Sequence, residues 1–431
     1  MIQSLRNSNS AGLDEVSSKL IKQCSDLVAV PLTHLINCSF ESGVFPSSLK
    51  LAVVKPLHKK GDKELCDNYR PISILSTFSK IFEKVFSIRL LNFLDSNDIL
   101  FKNQFGYQKN KSTLNAMFCL IDEVVSALDQ NSSVLSYFID LSKAFDLVIR
   151  LLLANKLDSL GIRGCALDWI RSYLSDRMQV VEIPFLKGSC YYKAYSDILN
   201  VILGVPQGSV LGPLLFLLFI NDIKFCVING KLCLFVDDTS YVIIDEDDEQ
   251  LLNKACAEGN NLIQWFKDNG LVVNLNKTNF MRFSIRGDPS NATGLVLGDS
   301  EITPKSTVNF LGLELDSNLK FAQHIKKVSR KLSSSIFALR RLAQYCNSDV
   351  LRVAYFGCFY SNLAYAVPIW GAESIETKYI FSLQKRALRI VYGLKKNQSC
   401  RGVFKSNLML TFPSVYTFES LMFLKKKSKF I

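Results

Sequence analysis

Apolar residues recur along this chain with two spacings, one of helices and one of strands. Ser17 to Ile36 has helical character, after which Gly43, Pro46 and two serines mark a turn into the short apolar run Leu51 to Val54. A basic cluster, Lys55, His58, Lys59 and Lys60, ends at the turn pair Gly61-Asp62. Between Ile72 and Leu94, the positions Ile81, Val85, Ile88 and Leu91 predict an amphipathic helix. Val134 to Leu141 is a β-branched and aromatic run of strand length that carries Asp140 near its end, and a helical segment follows to about Leu160. The Gly212-Pro213 pair opens a helix over Leu214 to Ile220. Leu232 to Val236 and Ser240 to Ile244 are two strands of a hairpin with a short acidic turn. Leu251 to Lys267 is then a helix, and Met281 to Ile285 and Phe310 to Leu315 are further strands. This order predicts an α+β fold with a split βαβ sheet and helices on one face. From Lys320 the pattern turns helical. Phe321, Ile325, Val328, Leu332, Ile336 and Leu339 form one stripe, with Lys326, Lys327, Arg330 and Lys331 largely off it.

At 431 residues and 48% hydrophobic composition the chain is long and apolar enough for two or three packed subdomains. The polar opening Met1 to Ser10 is not a secretion leader, so the chain is expected inside the cell. Val353 to Trp370 is uncharged, but Ser361, Asn362 and Pro368 interrupt it, and a buried helix is expected there rather than a membrane span. The 12 cysteines are scattered without a C-x-x-C pair, and only His34, His58 and His324 are present, which leaves little material for a zinc site or a His-based triad. The net charge of +12 is a C-terminal property: residues 320–431 hold 20 Lys and Arg against 4 Asp and Glu. Such asymmetry suits a polyanion, although a solvated surface or an acidic protein partner would produce it too.

Ionised carboxylates on apolar elements are costly unless paired or metal-bound. Asp140 ends one strand and Asp237-Asp238 lie in the hairpin turn of another pair, so neighbouring strands would bring all three to one sheet edge. Hard oxygen ligands without His or Cys select magnesium, and two such ions would support an in-line phosphoryl displacement. An Asp-Asp pair is also ordinary turn chemistry, and by itself it decides nothing.

Three strings carry more. Phe138-Ile139-Asp140-Leu141-Ser142-Lys143-Ala144-Phe145-Asp146, then Gly204-Val205-Pro206-Gln207-Gly208-Ser209-Val210-Leu211-Gly212-Pro213, then Phe235-Val236-Asp237-Asp238 resemble three successive polymerase motifs of reverse transcriptases, in order and spacing. Tyr69-Arg70-Pro71-Ile72-Ser73, the segment from Trp265 to Leu271 leading to Asn274 and Lys277-Thr278, and Phe310-Leu311-Gly312 are similar to the jockey-like non-LTR retrotransposon enzymes. The resemblance reaches nearly the whole chain, including Trp370-Gly371 and Gln384-Lys385-Arg386.

The resemblance implies a right-hand polymerase: a helical lead-in over 1–45, fingers over 46–133, a palm with an interleaved fingers segment over 134–316 (the reverse transcriptase domain spanning about 50–316), and a basic thumb and C-terminal region over 317–431. It implies that Asp140, Asp237 and Asp238 are catalytic and hold two Mg²⁺ ions, with Mn²⁺ as a substitute. Arg70 and Lys59 (or Lys60) would meet the triphosphate, Phe145 would exclude a ribose 2′-hydroxyl, Gln207 would contact the incoming nucleotide, and Lys277 would lie near it as a proton donor. Core packing, turn geometry and solvation are the plain alternatives for Phe145, Gln207 and Lys277. Implied partners are an RNA template, a DNA primer, dNTPs and a separate endonuclease, with no membrane, acting in the nucleus or cytoplasm. Two departures stand out: Val236 where jockey-like enzymes usually have alanine, and Ile149-Arg150 where an Asp-His pair is common. The stretch from Gln179 to Gly204 is also longer than expected, as a tolerated loop insertion or a decayed copy would be. A viral RNA polymerase is disfavoured by Phe145 and by Gly204 to Gln207; a catalytically inactive or domesticated nucleic-acid-binding remnant is the second alternative.

Overall fold

The computed structural model describes residues 1–284, 294–298 and 300–427, without the Lys427 side chain. Ile285 of one expected strand, and residues 428–431 of the basic C-terminal region, lie outside them. The lead-in is two helices, Ser18–Gln23 and Ser25–Ser42, the first capped by the Ser17 hydroxyl and the second ended by Gly43 at φ +66. β1 (Leu51–His58) and β2 (Tyr69–Ile74) form an antiparallel pair. Here the sequence reading is corrected, because residues 72–74 belong to β2, where their backbone pairs with β1. The helix starts only at Thr77, behind the Ser76 cap, and runs to Ser96. Ile81 is buried on it, whereas Ile88 is exposed.

β3 (Ser133–Ile139) and β4 (Leu141–Ser142) are followed by a helical turn at Ala144–Asp146 and the helices Arg150–Ser159 and Cys165–Leu174. β5 (Arg177–Lys187), β6 (Cys190–Tyr195) and β7 (Leu199–Val201) come next. β1 pairs in parallel with β5, so the first sheet runs β2-β1-β5-β6 with β7 also on β5. The stretch expected to be an inserted loop is therefore a hairpin that prolongs this sheet, and it is exposed from Ile183 onward.

After the helix Gly212–Phe219 come β8 (Gly230–Phe235), β9 (Asp238–Asp245), the helix Asp248–Asp268, β10 (Val272–Val273) and β11 (Asn279–Phe283). The central sheet has the order β11-β3-β9-β8, all antiparallel. Its helices cover both faces rather than one. Leu135, Tyr137 and Ile139 of β3 join a core with Ala255 and Leu262 of helix Asp248–Asp268, while Val134 and Phe138 join a second core with Leu120 and Val124 of helix Thr113–Asp129. Two covered faces account for apolar residues at successive positions of β3, with Ser136 buried among them.

Two small hairpins follow, β12 (Leu295–Leu297) with β13 (Ser300–Ile302) and β14 (Thr307–Phe310) with β15 (Leu313–Asp316). The single strand expected over 310–315 is thus two, turning at Leu311 and Gly312, both at positive φ. The stripe Ile325, Val328, Leu332, Ile336 and Leu339 is buried on the helix Ala322–Leu342, where it joins Leu383 and Ala387 of helix Ile375–Val391. Lys326, Arg330 and Lys331 face solvent. The run 353–370 is not one buried helix. It passes through a widened π turn at Tyr355–Tyr360, a short helix Ser361–Ala364, a left-handed Ala366 and the helix Val367–Trp370, and Val353 is exposed. Among the described residues, no helix is long and apolar enough to cross a membrane.

His324 is buried on the helix Ala322–Leu342 against Trp370, ring centroids 5.4 Å apart. Its Nδ1 accepts the Glu314 amide at 3.2 Å, which keeps the ring neutral with the proton on Nε2. Burial lowers its pKa from 6.5 to about 4, with Lys327 adding to the effect. Between these values the unfolded chain binds the extra proton, so stability falls as the pH falls through that window. Urea unfolding should show a loss approaching about 3 kcal/mol from this group by pH ~4. His324→Asn should flatten that part of the profile, and an unchanged slope would refute the assignment.

Candidate active site

The β3–β9 register ends at Ile139 opposite Thr239, and one further step puts Asp140 alongside Asp238. β8 and β9 are joined through Val236 and Asp237, a two-residue turn closed by the Phe235 and Asp238 pair. All three aspartates therefore meet at one end of the central sheet, and their charges feel one another. Asp238 is raised to about 6, first by desolvation from the protein around the turn, then by Asp237 and Asp140. Its surface is exposed, so this is crowding rather than enclosure. Asp237 is raised as well, by desolvation first, with Asp140 adding and Arg70 and Lys59 opposing.

The cations of this neighbourhood come from two directions. Lys277 stands on the turn after β10, and its Nζ contacts Asp140 Oδ2 at 3.1 Å. That turn is itself docked on the Asp140 backbone, whose carbonyl accepts the Asn274 amide at 2.8 Å. Arg70 is exposed on β2 opposite Leu57, and Lys59 follows β1, its amide donating to the Asn68 carbonyl at 2.8 Å. Desolvation and the nearby Arg70 and Lys277 lower the Lys59 pKa, while Asp140 and Asp146 oppose them. Lys59 thus shares the field of the acidic group.

Phe145 sits in the helical turn after β4, half-buried and stacked on Phe216 at 4.7 Å. Its carbonyl accepts the Val205 amide at 2.9 Å, and a Cβ on Gly204 would lie 2.8 Å from the carbonyl oxygens of Phe145 and Asp146. Glycine, at φ +80, is what permits this approach. Gln207 lies beyond it, and the Gln207 carbonyl accepts the Ser73 amide of β2 at 2.8 Å.

These donors fit a divalent cation. They are hard oxygens, they repel one another, and among the described residues neither Asp237 nor Asp238 has an ion-pair partner. No three His, Cys, Asp or Glu side chains among the described residues form a ready cage. Magnesium, which retains waters and accepts phosphate oxygens, does not require one.

A family model described as reverse transcriptase (RNA-dependent DNA polymerase) matches residues 57–315. The chain belongs to this family. Its curated relatives are enzymes of non-LTR retrotransposons. A probable RNA-directed DNA polymerase from transposon BS of Drosophila melanogaster is 28% identical over 402 residues, 90% of this chain and 43% of the relative. The RNA-directed DNA polymerase from mobile element jockey of the same organism is 25% identical over 413 residues, 91% and 43% of the two chains. The chain thus spans less than half the length of these relatives. A telomerase from Candida albicans superposes with a TM-score of 0.46 at 12% identity, covering 85% of this chain and 68% of that one, too loosely to add to the assignment. The family generally uses divalent metal ions.

Three residues that secure this reverse transcriptase site were not picked out from the sequence. Arg150, the unusual residue after Ile149, donates to the carbonyls of Val201, Leu203 and Gly204 at 2.6, 3.2 and 3.1 Å and so fixes the chain entering the Gly204 turn. Glu83 is fully buried on the helix Thr77–Ser96, where Oε2 accepts the Val210 and Leu211 amides at 2.7 and 3.2 Å and Oε1 accepts the Ser79 hydroxyl at 2.9 Å. Gln104, on a segment with no apolar periodicity, bonds the Val236 backbone. The charge of Glu83 inside an apolar helical stripe and the departure of Arg150 from the family pattern are the sequence signals among the three.

Glu83→Leu leaves two buried amides without an acceptor and should cost about 2–5 kcal/mol in chemical unfolding. Glu83→Gln keeps an acceptor and should cost clearly less. Equal tolerance of both would mean that the two hydrogen bonds hold nothing.

Proposed function

We propose that this chain is an RNA-directed DNA polymerase that adds dNTPs to a primer 3′-hydroxyl, with the described site as its active centre. The observation that carries the reading is the convergence of Asp140, Asp237 and Asp238 at one sheet end, faced by Lys59, Arg70 and Lys277. Two divalent ions, Mg²⁺ by donor type with Mn²⁺ as a substitute, would be held by Asp140 and Asp237 with Asp238 beside them, and would supply Lewis acidity at the 3′-hydroxyl and the leaving pyrophosphate. Arg70 and Lys59, exposed on the neighbouring sheet, bind the triphosphate oxygens. Lys277, paired with Asp140 here, would give a proton to the departing phosphate. Gln207 lies on the turn that meets the nucleotide and template. Phe145, braced by Phe216, crowds a ribose 2′-hydroxyl and favours deoxynucleotides.

The same reading divides the chain into lead-in (1–45), fingers (46–133), palm (134–316) and thumb (317–431), with the exposed Lys326, Arg330 and Lys331 neutralising template and primer phosphates without reading sequence. The RNA template, the DNA primer and a separate endonuclease that supplies the nick complete it, acting inside the cell in the nucleus or cytoplasm.

Primer extension on primed RNA with Mg²⁺ tests the reading. The chain should incorporate dNTPs in preference to rNTPs, and Asp237→Asn should lower extension about 100-fold or more while duplex binding persists. A chain that binds duplex but never extends it would instead be an inactive binding protein. Phe145→Ala should raise rNTP incorporation; an unchanged nucleotide preference would remove Phe145 from its role.

A further inference from the structure

The turn that carries Asp237 is held from outside its own hairpin. Residues 103–106 run beside β8 as a strap. The Leu234 amide donates to the Asn103 carbonyl at 2.9 Å and the Phe105 amide to the Leu234 carbonyl at 2.8 Å, a parallel bridge centred on Gln104. The strap is anchored on both sides. Asn221 accepts the Phe101 amide at 2.8 Å and donates to the Ile99 carbonyl at 3.0 Å. Lys111 Nζ donates to the Lys102 and Gln104 carbonyls at 2.7 and 3.0 Å.

Gln104 is 2% exposed, and its carboxamide joins the strap to the turn. Oε1 accepts the Val236 amide at 3.0 Å and the Gly106 amide at 2.8 Å, and Nε2 donates to the Val236 carbonyl at 3.5 Å. Val236 is where such a clamp matters. It is a β-branched residue at φ +61, in the first position of a two-residue hairpin turn that glycine usually fills, a conformation costing on the order of 1–3 kcal/mol. Gly106 closes the other side, for a Cβ there would lie 2.8 Å from the Val236 nitrogen.

We propose that Gln104 is a positioning residue for the catalytic turn. Acting as a surrogate strand partner, it holds Val236 in its left-handed conformation and thereby keeps Asp237 and Asp238 beside Asp140. Its consequence for catalysis rests on the polymerase reading; its consequence for the turn does not, so the two can fail separately.

Hydrogen–deuterium exchange on the metal-free full chain tests the turn directly. Gln104→Met, which keeps the length and removes both hydrogen-bonding atoms, should speed exchange in residues 234–238 about tenfold, as loss of a buried hydrogen bond would, and leave helix Asp248–Asp268 unchanged. In primer extension its kcat should fall about tenfold or more with little change in KM for dNTP, since the triphosphate contacts are untouched. The same substitution should cost less in a Val236→Gly background, where the positive φ needs no clamp. Should Gln104→Met fold poorly, Gln104→Glu, which retains the acceptor, is expected to keep the Val236 amide protected. Wild-type exchange at the turn in Gln104→Met, uniform acceleration throughout β3 and β9, an equal cost in both backgrounds, or loss of that protection in Gln104→Glu would each overturn the proposal. If the wild-type chain does not extend primers, the polymerase reading fails, and the exchange comparison still decides the role of Gln104.

Discussion

Mutual repulsion among Asp140, Asp237 and Asp238 is the constraint to which the rest of the structure answers. Neighbouring carboxylates would move apart if their backbone could yield, and the Asp238 pKa, raised to about 6 first by desolvation and then by Asp237 and Asp140, carries part of that repulsion. The resistance is supplied by depth of packing. β3 is covered on both faces by separate cores, so the strand that leads to Asp140 cannot shift without disturbing close packing on both sides. On the other side of the pair, the β8–β9 hairpin is braced by the 103–106 strap. Asn274 fixes the Asp140 carbonyl, and the same turn delivers Lys277 to the Asp140 carboxylate.

The loop beyond Gly204 is secured in the same way but from other elements. Arg150 holds its entry, the Ser73 amide its middle, and Glu83 its exit into helix Gly212–Phe219. These anchors stand on three different parts of the chain, and the Ser73 amide joins β2 to the Gln207 carbonyl. Arg150 also gives physical sense to one departure from the jockey-like pattern. A guanidinium with several donors satisfies three carbonyls together, which an imidazole with two ring nitrogens could not do.

Much of this was legible in the sequence because it depends on local patterns. The β-branched run before Asp140, the acidic hairpin and the stripe from Ile325 to Leu339 declared their elements, and the order of motifs predicted that the aspartates meet. What was hidden depends on partners distant in the chain. Ile72 suited a helix until its pairing with Lys55 of β1 was known. The apolar residues of β3 were compatible with two covered faces, but the expectation of helices on one face left out the second core that shares the strand. Gln179 to Gly204 looked like an insertion because the stretch is longer than expected, yet residues 182–187 pair with 190–195 as strands. Gln104 has no distinguishing neighbour in sequence, and its role exists only once Val236 adopts positive φ. The run 353–370 misled for the opposite reason: its apolar residues are real, but a left-handed Ala366 and a widened turn divide it.

The account stands or falls on the three carboxylates acting as one cation site. Mn²⁺ binding followed by electron paramagnetic resonance, on the chain with primed RNA and a non-extendable nucleotide, measures this without requiring turnover. The account predicts two bound ions in the wild type and loss of at least one in both Asp140→Asn and Asp237→Asn, with nucleic-acid affinity retained. Absence of specific Mn²⁺ binding in the wild type, or an unchanged number of bound ions in either variant, would contradict it.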